Sequence, residues 1–141
     1  MVEAALVLPM LLIITLGMFQ FGLLLHAEIM VANAARAGGI QASVSRGDTS
    51  AGTDITNAVN TAGALNATNL KTYICLPSTG ATCASASSCG TTCNFSSYQG
   101  SQVTVTVSYS CKALFVFTGH WTFLNDSGIC PISTSVTEIV Q

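Results

Sequence analysis

The sequence contains very few charged residues. Only 7% of its 141 residues are Asp, Glu, Lys or Arg, whereas a typical soluble domain has about 25%. Four Lys and Arg residues stand against six Asp and Glu residues, which gives a formal net charge of -2 at pH 7. So few cations cannot neutralise a run of phosphates, and nucleic-acid binding is therefore excluded.

Groups for acid-base chemistry or metal binding are also scarce, since the chain has two His and six carboxylate residues. The one cluster of catalytic residue types is His120 beside Trp121, with Asp126 nearby, and no nucleophile motif accompanies it. A hydrolase that uses His120 is therefore the weakest of the functional hypotheses. We expect no cofactor and no bound metal.

What the sequence does contain is one long apolar segment. Half of all residues are hydrophobic, and no charged residue occurs from Ala4 to Leu25. A bilayer needs about 20 such residues at 1.5 Å each, so this segment is long enough to cross one. A cleaved secretory signal is the alternative, but signal peptides have an apolar region of about 7–15 residues behind a positively charged start. Here the start is Met1, Val2 and Glu3.

The helical pattern continues beyond the apolar segment. Residues 26–45 are rich in Ala and other helix formers, and Ile29, Ala32, Arg36 and Ile40 recur at spacings of three and four along one side. We therefore predict one continuous helix of about 65 Å over residues 2–45. Its small residues would let another helix approach closely, and a plain juxtamembrane helix is the alternative. These small residues are Ala32, Ala34, Ala35, Ala37, Gly38 and Gly39.

Three helix breakers lie inside the apolar segment: Pro9, Gly17 and Gly22. Proline has no amide hydrogen to donate, so we expect Pro9 to loosen the helix locally. Gly38 and Gly39 are a second place where the helix could bend.

After Arg46 the composition changes to Gly, Ser, Thr and Asn, and residues 47–52 form the separating loop. We predict a short helix over residues 54–65, capped by Thr53. We then expect strands over residues 71–76, 102–111 and 132–140. The second strand alternates almost perfectly, with Val103, Val105, Val107 and Tyr109 on one face and hydroxyl residues on the other. The aromatic-rich stretch 114–124 either fills a small core or contacts a partner.

All six cysteines follow the apolar segment: Cys75, Cys83, Cys89, Cys93, Cys111 and Cys130. An even number in this position predicts three disulfides in an oxidising compartment. The alternative is zinc, because the spacing of Cys89 and Cys93 could chelate a metal, but no second matching pair exists. The sequence does not choose among the 15 pairings of six cysteines. Our trial assignment joins Cys111 to Cys130, Cys75 to Cys93 and Cys83 to Cys89.

Three sequons begin at Asn66, Asn94 and Asn125. Sugars on these residues, or on the Ser and Thr residues of the cysteine-rich loop, would keep a surface with so few charges from associating. Bare hydroxyl-rich loops are the alternative.

The residues described so far resemble the TadE-like family, the type IV pilin-like proteins of tight-adherence (Tad) secretion systems. The resemblance rests on the segment from Val2 to Pro9, on Phe21-Gly22, on the Ala-rich residues 32–38 and, more weakly, on the strand at 103–107. In this family a prepilin peptidase cuts after a Gly a few residues before the Glu. No such Gly precedes Glu3, so we expect the sequence to be a processed or truncated form.

The resemblance implies a filament subunit. In pilin-like assemblies the residue matching Glu3 meets the N-terminal amine of a neighbouring subunit, and a carboxylate at the edge of hydrocarbon is costly unless it is neutralised or paired. Glu3 in the headgroup region of a lone membrane anchor is the alternative. Glu3, Pro9, Gly17 and Gly22 are the candidate assembly residues.

We therefore expect an α+β, pilin-like fold. Residues 1–46 form the hydrophobic helix, which anchors the protein in the inner membrane before assembly and forms the filament core afterwards. Residues 47–141 form an extracellular α+β domain with a small disulfide-stapled antiparallel sheet and a cysteine-rich loop at 75–93. The expected partners are copies of the chain, the prepilin peptidase and the assembly machinery, and the expected role is adhesion or surface contact. A membrane-tethered minor pilin or accessory protein that does not form the bulk filament is the alternative.

Overall fold

The computed structural model describes residues 2–45, 50–65, 67–76, 83–86, 95, 100–111 and 130–141. Side chains are described from residue 7 onward within these ranges, except those of residues 67, 111, 130 and 131. Within these ranges two helices, α1 and α2, are followed by a 3-10 turn at Ala67–Asn69 and four strands. The predicted α+β class, with a long N-terminal helix before an antiparallel sheet, is confirmed.

Helix α1 spans Val2–Val44 without interruption. The predicted end at residue 45 is therefore correct to within one residue. The helix runs through Pro9 and through the Gly38-Gly39 pair. Its end is held by Ser45, whose backbone amide and hydroxyl both donate to the carbonyl oxygen of Gln41, at 3.1 and 2.7 Å. The hydroxyl thus adds a second hydrogen bond to one carbonyl oxygen of the last helical turn, which has two lone pairs to accept with.

Helix α2 spans Ala51–Gly63, so it begins three residues earlier and ends two residues earlier than predicted. Ala51 is buried at its start, which means that the first turn is held by packing. The predicted cap, Thr53, lies inside the helix, and Ser50 occupies the N-cap position. The helix ends because Ala64 adopts a left-handed conformation with φ 46°, a common way to terminate helices.

Four strands form one antiparallel sheet in the order β2-β1-β3-β4. They are β1 Leu70–Cys75, β2 Cys83–Ser85, β3 Gln102–Cys111 and β4 Cys130–Ile139. The prediction for β3 is correct at both ends. The predicted range of β1 is shifted by one residue, and the predicted range of β4 starts two residues late. Strand β2 has no counterpart in the prediction.

The alternation of β3 determines which face of the sheet is covered. Val103, Val105 and Val107 are almost fully buried, because α1 packs against β3 and β4 while α2 lies beside α1 and reaches β1. The opposite face carries hydroxyl residues from adjacent strands, and the side chains of Thr104 and Thr137 hydrogen-bond at 2.9 Å. The predicted division into one buried face and one wet face is confirmed for β3.

Candidate assembly surface

The first half of α1 makes almost no contact with the rest of the protein. All but Leu24 of its large apolar side chains between Val7 and Leu25 expose from 43% to 71% of their surface, whereas core residues such as Val31 and Ile55 are fully buried. Within the described residues, α1 is the one helix long and apolar enough to cross a membrane, and its most apolar window is entirely unburied. Leaving this much apolar surface in water is unfavourable, so the segment requires a non-aqueous environment.

Interruptions of the apolar segment are compatible with such an environment. The hydroxyl of Thr15 donates to the carbonyl oxygen of Leu12 at 3.0 Å, so this hydrogen-bond donor does not need water. A side chain added at Gly17 or Gly22 would meet no atom within 4 Å. Of the candidate assembly residues, these two glycines therefore lie on open helix surface, where a second helix could approach closely.

The second half of α1 has one face in the protein core. Val31, Ala34, Ala35 and Ala42 are fully buried. A Cβ at Gly38 would lie 2.7 Å from Cγ2 of Val59 and 3.2 Å from Cγ1 of Val105. Of the small residues predicted to admit a second helix, Ala34 and Gly38 lie against α2 of the same chain, whereas Gly39 faces Val136 and Glu138 of β4.

The opposite face of this half is exposed and still partly apolar. Ile29, Ile40 and Val44 expose 59%, 63% and 69% of their surface, and Asn33 and Arg36 between them are also exposed. We call these five residues the outer stripe. They recur at spacings of three and four, which places them on one side of the helix. Of the predicted set, Ile29, Arg36 and Ile40 point away from the core, whereas Ala32 beside them is half-buried.

The remaining predicted site residues lie partly or wholly outside the described part of the chain. The backbone of Glu3 lies in α1, 33 residues before Arg36, and its side chain is not described. The sequon residues Asn66, Asn94 and Asn125, the cysteines Cys89 and Cys93, and the cluster of His120, Trp121 and Asp126 lie outside the described residues. So does the aromatic stretch 114–124.

The structure corrects the trial disulfide assignment. Cys75 and Cys83 are bonded across the β1-β2 hairpin, with their Cα atoms 4.0 Å apart. The proposed links from Cys75 to Cys93 and from Cys83 to Cys89 are therefore wrong. The physical reason is that β2 pairs with β1 and sets Cys83 directly opposite Cys75. The backbone register of β3 and β4 likewise sets Cys111 opposite Cys130, and that link stays a prediction.

A cavity of about 410 Å³ lies between α2 and the β1-β2 hairpin. Its lining includes Thr56, Asn60, Lys71 and Tyr73 but no His, Cys, Asp or Glu. Within the described residues no three His, Cys, Asp or Glu side chains are grouped as metal ligands would be. The exposed surface of α1 is therefore the strongest candidate functional site in the described part of the chain.

An exposed apolar half-helix that continues into the core of a small α+β domain defines a class of membrane-associated or assembly-associated protein. Sequence comparison is consistent with this class, because residues 1–39 match the family model described as TadE-like protein. This confirms the resemblance for the N-terminal part of the chain and suggests a Tad pilus-associated protein. No curated protein and no solved structure matches the chain significantly.

Proposed function

We propose that the protein is a structural subunit of an extracellular, type IV pilus-like filament of the Tad kind, used for adhesion or surface contact. Its first helical half anchors it in the inner membrane before assembly and packs against copies of itself afterwards. A prepilin peptidase and the assembly machinery would act on it between these two states. The role is non-catalytic.

The main support for this proposal is that α1 is divided into two halves with different surroundings. One half is apolar and largely exposed, whereas the other contributes fully buried residues to the core. Hydrocarbon and a bundle of identical helices are the two environments that remove such a surface from water. A subunit that moves from membrane to filament uses both environments, and the TadE-like match at residues 1–39 supports the same proposal.

A cleaved signal would not require this architecture. Signal peptides leave the mature protein, but α1 continues from the apolar segment into the core without a break. The buried residues Val31, Ala34 and Ala42 hold the second half of the helix in the globular part. The first half is therefore the direct continuation of a helix that the domain holds in place.

The test is replacement of Glu3 by Ala in cells that produce the filaments. A carboxylate at the edge of an apolar helix needs a partner, and loss of one member of a buried ion pair costs about 3–5 kcal/mol. We expect the variant to stay in the membrane fraction, folded and disulfide-bonded, while filaments disappear from electron micrographs. Glu3→Gln separates hydrogen bonding from charge. Its assembly defect should be milder than that of Glu3→Ala if hydrogen bonding dominates the contact, and equally severe if charge dominates.

Immunogold labelling of wild-type filaments identifies the subunit class. Label along the whole filament supports a bulk subunit, whereas label confined to the cell envelope or the filament end supports the minor or accessory alternative. Normal filaments made by Glu3→Ala cells would show that the carboxylate has no role in assembly.

A further inference from the structure

The outer stripe of α1 has features that membrane anchoring alone does not explain. Ile40 and Val44 lie at the far end of the helix, more than 20 Å beyond Leu25 along its axis at about 1.5 Å per residue, yet each is more than 60% exposed. Arg36 beside them is exposed, and no ion pair is found for it among the described side chains. Arg36 is also the one cation in the sequence of α1. An apolar ridge next to an exposed guanidinium is a surface suited to an apolar partner with a carboxylate.

We propose that residues 3–11 of a second copy cover this surface, in parallel orientation, with Glu3 of that copy facing Arg36, which is a partner for the carboxylate in addition to the neighbouring N-terminal amine that the family resemblance implies. The inference rests on the proposed filament function and specifies one contact of the assembly. The axial offset between the two copies is 33 residues, or about 50 Å at 1.5 Å per residue.

The spacing of the residues supports this single offset. Arg36, Ile40 and Val44 follow one another at intervals of four residues. Counted from Glu3, the same intervals lead to Val7 and Leu11, which are each 58% exposed. Residues four apart lie along one face of a helix. One offset therefore matches three pairs: Glu3 with Arg36, Val7 with Ile40, and Leu11 with Val44.

The other carboxylate of α1 gives a poorer match. Glu28 is also exposed, and an offset of eight residues would set it beside Arg36 of a second copy. The same offset would place Ala32 beside Ile40 and Arg36 beside Val44, so a guanidinium would lose water against an apolar side chain. Burying a charge without a partner is unfavourable, which favours the offset of 33 residues.

The proposed contact joins two different surfaces, and this has a consequence for assembly. A head-to-tail contact that does not close into a ring generates an open helical filament. The overlap of nine residues is only about 12 Å long, too short for a stable two-body interface of standard size. The contact therefore works together with the other helix contacts of a polymer.

Site-specific photo-crosslinking of the full chain in filament-producing cells tests the offset. A benzophenone amino acid at position 40 should form chain-to-chain adducts that mass spectrometry maps to residues 4–11. In one chain the continuous helix places residues 7 and 40 about 50 Å apart, so such an adduct joins two copies. The matched control is position 29, which lies on the same stripe with similar exposure but outside the overlap, and should not link to residues 4–11.

Charge exchange tests the ion pair. We expect Glu3→Arg and Arg36→Glu each to lower incorporation into filaments at least about tenfold, as loss of a paired interfacial charge does, and the double variant to restore it. Lys71→Glu reverses an exposed cation outside α1 and should assemble normally.

Three results would overturn the inference while leaving the filament function intact: adducts from position 40 that map to residues 27–37, adducts to lipid alone, or a double variant that stays as defective as the singles. If the wild-type chain is absent from filaments, the proposed function fails, and this inference fails with it.

Discussion

At the residue scale, glycine has two different roles along α1. Gly17 and Gly22 border open space, whereas Gly38 and Gly39 each border side chains of the core or its edge. In the sequence all four look alike, as small residues in a helix. The signal that separates them is their distance from the Val and Ile residues of the sheet and α2, which only the tertiary fold supplies.

We predict a graded loss of stability when these glycines are replaced by Ala. At Gly38 the new methyl group would lie 2.7 Å from Val59, a buried side chain that cannot move away easily, and overpacking costs about 1–3 kcal/mol. At Gly39 the neighbours Val136 and Glu138 are 3.1 and 3.2 Å away and only partly buried or exposed, so the cost should be smaller.

Gly17→Ala is the matched control, because it meets no atom and gains up to about 1 kcal/mol of helix propensity. Thermal unfolding in detergent, followed by circular dichroism, measures all three variants. A loss of 1 kcal/mol lowers the Tm of a domain of 60–100 residues by about 4–8 °C. A Gly38→Ala variant as stable as Gly17→Ala would contradict the close packing of α1 on α2.

At the scale of elements, the sequence predicts those whose pattern is local. The Val-Thr alternation of β3 gives its face and both of its ends. Strand β2 has no such pattern, since Cys83-Ala84-Ser85 is a strand only because it pairs with Tyr73, Ile74 and Cys75. The predicted start of α2 is wrong for a related reason. Burial of Ala51 extends the helix toward the N-terminus, beyond the expected cap at Thr53.

The β1-β2 hairpin leads to a prediction about the disulfide. Cys75 and Cys83 are separated by eight residues, and closing a loop of that length contributes about 2–3 kcal/mol in the chain-entropy model. Replacement of both cysteines by Ser should lower the free energy of unfolding by this amount in chemical denaturation. The two cysteines must be replaced together, because a single replacement leaves a thiol that can exchange.

Peptide mapping without reductant checks the pairing directly. We expect a linked fragment that contains Cys75 and Cys83, a second that contains Cys111 and Cys130, and no thiol that reacts before reduction. A fragment that joins Cys75 to Cys93 would contradict the β1-β2 register.

At the scale of the whole molecule, α1 belongs to two environments at once. The core of the α+β unit is built from α1, α2 and the sheet together, since a Cβ at Gly38 would meet Val59, Val105 and Ile55. The sequence predicts the apolar half from composition alone. The sequence cannot show that the second half of the helix packs in the core of the same chain. A run of Ala and Gly residues is equally expected in a helix that packs against a partner chain.

The last prediction follows from this shared core. A chain that starts at Ala27 keeps every described α1 residue of the core, including Val31, Ala34, Ala35 and Ala42, and drops the exposed apolar segment. We expect it to fold as a water-soluble domain with dispersed amide signals in NMR and cooperative unfolding.

The control is a chain that starts at Gly47, which corresponds to the predicted domain of residues 47–141. It lacks the whole of α1, so Ile55, Val59 and Val105, which are fully buried in the protein, would lose the helix that covers them. A domain of about 95 residues has a net stability of only about 5–15 kcal/mol, and exposing three large core side chains at about 1.5–3 kcal/mol each removes most of it. Slow amide exchange in this shorter chain, equal to that of the chain from Ala27, would show that α1 is only an anchor. Slow amide exchange in the chain from Ala27 alone would show that the helix joins anchor and domain into one folded unit. A filament subunit requires such a unit if the packing of its helix is to fix the position of its domain.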